Sequence, residues 1–152
     1  MGEEANSTQE PPNETMPDNV QALLEAARYA DIDDMISLAS TGVSLDSKDF
    51  EGRTALHMAA ANGHLDIVDY LIRNGADLNA CNAEKNTPLH WACLNGHVEV
   101  IRNLIMAGAD VTTLNSHERT PMDEAVSKGK MEVVDAINAS VAQVELDGVR
   151  VS

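Results

Sequence analysis

Aromatic residues make up only 3% of this 152-residue chain, with one Trp, two Tyr and one Phe. Burial must therefore come from Ala, Leu, Val, Ile and Met, which suits thin, closely packed helix pairs better than a sheet sandwich. Basic residues are scarce as well, ten against 25 acidic ones, for a net charge of −15. That balance argues against the phosphate backbone of nucleic acid and against an anionic membrane as partners. It suits a basic protein partner, and it serves solubility equally well. The two cysteines, Cys81 and Cys93, make neither a metal nor a disulfide framework and read as small buried or half-buried residues of a reduced compartment. No run approaches the ~18 apolar residues of a membrane span.

The first residues lack a charged-then-apolar signal, and Asn6 stands where a myristoylation motif requires Ser or Thr. The expected location is cytoplasmic, with the nucleus also open. The Asn-x-Ser/Thr triplets at Asn6, Asn13 and Asn138 then have no glycosylation machinery to meet. Cofactors and metals are not expected.

What the chain does have is a repeat. The stretch from Thr54 to His64, TALHMAAANGH, returns as TPLHWACLNGH from Thr87 to His97, and in degraded form as TPMDEAVSKGK from Thr120 to Lys130. Both offsets are 33 residues. A fixed period of that size means stacked units, each buried by its neighbours, in place of one closed core.

Residues 1–17, rich in Glu and Pro and poor in apolar side chains, read as a disordered acidic leader. The array should span 18–139, divided into an N-terminal capping unit at 18–48, repeats at 49–81 and 82–114, and a C-terminal capping unit at 115–139. Asp18 or Asn19 offers an N-cap to a first helix over Val20 to Arg28, and a second runs from about Ile32 to Ser40, with Gly42 at its end. Turn chemistry from Leu45 to Arg53 predicts an extended, hairpin-like connection. Thr54 then caps a helix to about Asn62, Gly63 turns the chain, and His64 to Arg73 returns with Leu65, Ile67, Val68, Leu71 and Ile72 inward or half inward. One period later come helices over Pro88–Asn95 and Val98–Ala107, and after them Pro121–Lys128 and Met131 to about Asn138. Pro88 and Pro121 fall at the first helical turn, where a missing N–H costs nothing. The tail 140–152 alternates weakly: extension of the last helix, an edge strand and a dangling end are all open, and a dangling end is the one expected.

These motifs, Gly52-x-Thr54-x-Leu56-His57-x-Ala59-Ala60-x-x-Gly63-His64, Gly75-Ala76-Asp77-x-Asn79, Thr87-Pro88-Leu89-His90 and Gly108-Ala109-Asp110, resemble the ankyrin repeat. The resemblance covers about residues 18–139. It implies an all-α solenoid of about four units, each a β-turn followed by two antiparallel helices, that binds proteins through hairpin tips and a concave helix face. It also implies that Thr54, His57, Thr87 and His90 hydrogen-bond within and between units. More narrowly, residues 54–64 together with His90-Trp91-Ala92 and Leu94-Asn95-Gly96 are similar to the paired motifs of small fungal ankyrin-repeat chaperones of a basic small-subunit ribosomal protein. The longer connection between those two repeats is lacking here.

On the implied geometry, the side chains that project toward a partner are Asp49, Phe50, Glu51, Arg53, Met58, Asn62, Glu84, Asn86, Trp91, Leu94, Asn95, His117 and Arg119, with Glu124 and Lys128 beside them. Phe50 is the expected anchor, because a lone Phe in a polar tip has little local core to join. Trp91 fits core burial and partner contact equally. His57, His64, His90 and His97 suggest a metal site only superficially, since no Cys or carboxylate closes a tetrahedron around them. No nucleophile elbow, phosphate loop or convergent acid pair is present, and Asp123-Glu124, adjacent in a helix, face different ways. The expected activity is non-enzymatic protein binding by a monomer, in chaperone-like service of a basic client such as a ribosomal protein. The alternative is a regulator or inhibitor docking on a kinase or other folded enzyme.

Overall fold

A computed structural model describes residues 16–151, so nearly all of the expected leader, 1–17, lies outside the described residues. Among those described, the chain forms eight helices and no strand. They are α1 (Asp18–Arg28), α2 (Ile32–Ser40), α3 (Ala55–Asn62), α4 (Leu65–Arg73), α5 (Pro88–Asn95), α6 (Val98–Met106), α7 (Pro121–Ser127) and α8 (Met131–Val151). The expected all-α repeat array is what forms. Each odd-numbered helix packs on the even-numbered helix after it and on the next odd-numbered one.

The period of 33 becomes columns of side chains running through the stack. Leu23, Leu56 and Leu89 form one and Val68, Ile101 and Met35 another, all of them at most 1% exposed. Ala26, Ala59, Ala92 and Ala125 make a column of small residues where successive first helices meet, so backbones approach closely with little side-chain entropy lost. Each fully buried Leu contributes roughly 2 kcal/mol through area removed from water. Few aromatics are needed because every column is filled by aliphatic groups from adjacent units.

Local chemistry fixes the first helices. Thr54, Thr87 and Thr120 sit at the N-cap, each accepting from the amide of the third helical residue, whose side chain accepts in return from the Thr amide. Gly63 ends α3 with φ 74° and turns the chain into α4. A Cβ placed on it would lie 2.6 Å from Nδ1 of His97, so both the backbone conformation and the neighbouring ring require Gly there.

Polar groups repeat at the same period along the loops. Asp49, Asn82 and Asn115 each use Oδ1 to accept the amides two and four residues ahead, closing three identical tips. Successive tips are joined by one backbone bond each, Ala83 N–H to Glu51 O at 2.8 Å and Ser116 N–H to Glu84 O at 2.9 Å. The connections are thus tight turns tied edge to edge, and no strand forms.

Three expectations need correction. Pro17, not Asp18 or Asn19, holds the cap position of α1, without a side-chain cap bond, and Asp18 is the first helical residue. Met16, placed in the expected leader, is partly buried against the core. The tail does not dangle from Ser140, since α8 continues to Val151. Gly75 and Gly108, with φ 81° and 107°, stand just past the ends of α4 and α6, and the residue one period later is Val141. A β-branched residue resists the left-handed conformation that stops a helix, and Val141 instead packs partly on the core.

Candidate functional site

Two families of histidine bonds lock the stack before any partner is considered. His57 Nδ1 accepts from the Thr54 amide at 3.1 Å, which places the proton on Nε2, and Nε2–H donates forward to Asn86 O at 2.8 Å. His90 repeats this on Thr87 and reaches Arg119 O at 2.9 Å. His64 and His97, at the starts of α4 and α6, reach backward to Arg28 O at 2.7 Å and Ala61 O at 3.0 Å. Burial, only partly opposed by the bond to Asn86 O, pushes His57 down to about 4, and His90 is lowered for the same reason. Both imidazoles are held neutral as bridges between units. Among the described residues no group of three or more His, Cys, Asp or Glu side chains converges as a metal site would require. Burial also raises the Cys93 thiol to about 12, which leaves it inert as a nucleophile.

The residues named in advance divide into two sets. Asp49, Phe50, Glu51, Arg53 and Met58 come together in one cleft of about 360 Å³ between the first tip and helix α1. Phe50 is 63% exposed, as its lone position in a polar tip suggested. Asp49 is structural as well as marginal to the cleft. Burial acts to raise its pKa, but the Arg53 amide and guanidinium and the Glu51 amide hold its carboxyl below the usual range. The helix α1 wall of the cleft, with Leu24, Glu25 and Arg28, was missed. The signal was present, because Glu25 and Arg28 stand one period before Met58 and Ala61.

The remaining residues lie elsewhere. Met58 is not a projecting contact; it is 4% exposed, and its sulfur accepts from Arg28 Nη2 at 3.7 Å. Asn86 is buried too, its Oδ1 accepting from Asn115, whose Nδ2 also donates to Glu124 at 2.6 Å. Glu124, expected to project, is a buried member of this network and pairs with Arg119 at 3.4 Å. Burial of an unpaired carboxylate is costly, so the network has to absorb it. Trp91 is half-buried and lies edge-on to His57, with ring centroids 5.3 Å apart, so it partly covers the histidine latch. Leu94 is half-buried, while Glu84, His117 and Lys128 are exposed. Asn62 and Asn95 are exposed but return their amides to Met58 O and Ala61 O.

Acidic groups concentrate on the second helix of each pair. Asp33, Asp34, Asp66, Asp69 and Glu99 lie there, with only Arg73 and Arg102 beside them in α2, α4 and α6. The tips, by contrast, alternate sign, with Lys48 and Arg53 around Asp49 and Glu51, and Lys85 beside Glu84.

Comparison with known proteins agrees with this architecture. A family model described as ankyrin repeats in three copies matches residues 4–80, 23–115 and 75–145. A 48-residue stretch is 44% identical to the liver isoform of mitochondrial glutaminase from Rattus norvegicus, covering 32% of this chain and 8% of that protein. The Mus musculus counterpart is 40% identical over 48 residues, with the same coverage. A Rickettsia felis protein named for its ankyrin repeat is 41% identical over 49 residues, 32% of this chain and 78% of that one. The glutaminase likeness is confined to repeat sequence and carries no enzyme activity with it. Stacked tips, Thr-capped first helices and unit-bridging histidines, matched by this model along most of the chain, place the protein in the ankyrin-repeat family, whose arrays are protein–protein interaction modules and generally not enzymes.

Proposed function

We propose that this protein is a chaperone-like binder of a basic client, such as a ribosomal protein, engaging it through the hairpin tips and the face of the first helices. One observation carries the reading. Side chains that recur between copies, such as Thr54, Thr87, His57 and His90, make hydrogen bonds inside the stack, while those that differ, Phe50 against Ala83 and Ala61 against Leu94, leave Phe50 exposed at the cleft and Leu94 half-buried on the surface. A scaffold whose uncommitted groups gather on one side is arranged to bind there. The net charge of −15 supports a positively charged partner through long-range steering. The protein acts as a monomer in the cytoplasm or nucleus on this reading, and the narrower likeness to fungal ribosomal-protein chaperones belongs to the same proposal.

Affinity capture from lysate at low and high salt, with wild type and Phe50→Ala, tests it. A basic protein should be recovered at low salt and depleted both at high salt and on the variant. Recovery of no basic protein, or binding indifferent to salt and to Phe50, contradicts it. Stable recovery of a folded kinase with inhibition of its activity would establish the regulatory alternative instead.

A further inference from the structure

The cleft beside α1 has a chemistry more specific than general acidity. Its floor is the buried pair Leu24 and Met58, and its outer wall is the exposed Phe50. Glu25, Asp49 and Glu51 border it, against Arg28 and Arg53. Arg53 Nε lies 2.7 Å from Asp49 and 3.7 Å from Glu51, so one guanidinium serves two carboxylates. Arg28 is turned onto the Met58 sulfur, and Glu25 is exposed and makes no ion pair among the described residues. Among the described residues, the cleft therefore carries one carboxylate more than it has cations, over an apolar floor and beside an open aromatic face.

We propose that this cleft receives a short segment of a partner protein in which an aliphatic side chain sits next to a single Lys or Arg. The aliphatic group covers Leu24 and Met58. The basic residue lays its hydrocarbon stem along Phe50 and brings its charged head to Glu51 and Glu25. Arg28 and Arg53 limit the number of cations to one, because a second would meet an uncompensated guanidinium. This rests on the protein-binding reading and deepens it, assigning long-range attraction to the net negative charge of the whole chain and recognition to one cation in the cleft.

The test uses the full chain and three fluorescent heptapeptides, identical except for a central Leu-Arg-Leu, Leu-norleucine-Leu or Leu-Glu-Leu, read by anisotropy at low salt. The Arg probe should bind about tenfold more tightly than the Glu probe. Glu51→Gln, which leaves the Asp49–Arg53 pair and the Glu51 carbonyl bond to Ala83 intact, should weaken the Arg probe about fivefold and leave the norleucine probe unchanged. Phe50→Ala should weaken both. Failure of every probe to bind, equal or tighter binding of the Glu probe, or indifference of the Arg probe to Glu51→Gln overturns the assignment. If a captured client is retained by Phe50→Ala but lost on Trp91→Ala or Leu94→Ala, the cleft assignment falls while the protein-binding reading stands.

Discussion

The two interior copies, 54–73 and 87–106, and the terminal copy, 120–151, started from the same pattern and do different work. Several departures of the terminal copy remove contacts that the interior copies make with the unit after them. His57 and His90 reach forward to a carbonyl, whereas Asp123 keeps the reciprocal cap, accepting from the Thr120 amide at 2.9 Å, but is too short to bridge. The Thr120 amide and hydroxyl hold that exposed carboxyl below its usual range. Leu56 and Leu89 are sealed, while Met122 in the same column is half-buried. Ala60 and Cys93 are buried, and their successor Val126 is 54% exposed. Gly75 and Gly108 stop their helices, and Val141 lets α8 run on. The terminal copy therefore differs by a change of residue type at a few positions, with the Thr N-cap of its first helix left intact.

The sharpest way to break this contrast is to empty the same column at both places. Leu89→Ala should cost about 3–5 kcal/mol in urea unfolding, because the fully buried leucine leaves a cavity between two covered units. Met122→Ala should cost about 1 kcal/mol, since that side chain is only partly covered. Similar losses at the two sites would remove the distinction.

Acid tests the histidine bridges that only the interior copies carry. Burial sets the folded-state pKa of His57 at about 4, below the usual 6.5 of an unfolded chain, so the unfolded state takes up the proton first. The stabilisation is complete above pH 6.5 and is lost as pH falls toward 4, worth roughly 3 kcal/mol for His57, with His90 adding in the same direction. The double variant His57→Gln and His90→Gln should lose most of this slope in a series of urea midpoints, and an undiminished slope would show that the bridges are not its source.

A smaller effect should follow from restoring the missing stop. Val141→Gly ought to cost about 1 kcal/mol and shorten α8, seen as a loss of helical circular dichroism and faster proteolysis after residue 140. Smallest of all, Phe50→Ala should leave the unfolding midpoint within about 0.5 kcal/mol of wild type, as expected for an exposed side chain outside the core.

The stack was legible in sequence because its determinants are local and periodic: a Thr cap, a His three residues on, a Gly at the turn and aliphatic groups at helical spacing. Helix bounds such as Ile32–Ser40 and Pro88–Asn95 follow from these alone. The length of α8 is harder to read, since Val141 signals it only by contrast with Gly75 and Gly108, two periods and one period earlier. The candidate site was half legible. Exposure of Phe50 could be read from its polar surroundings, but the burial of Met58, Asn86 and Glu124 depends on neighbouring units. The Asn86–Asn115–Glu124 network joins residues 29 and nine positions apart, a pairing that no single motif announces.

The central claim is that recurring residues make the scaffold and differing residues make the contact. Its most direct test is the affinity of Phe50→Ala for a captured basic client, measured beside its urea midpoint. Binding should weaken about tenfold with the midpoint unchanged. Unaltered affinity, or a loss of binding matched by a loss of folded stability, would contradict it.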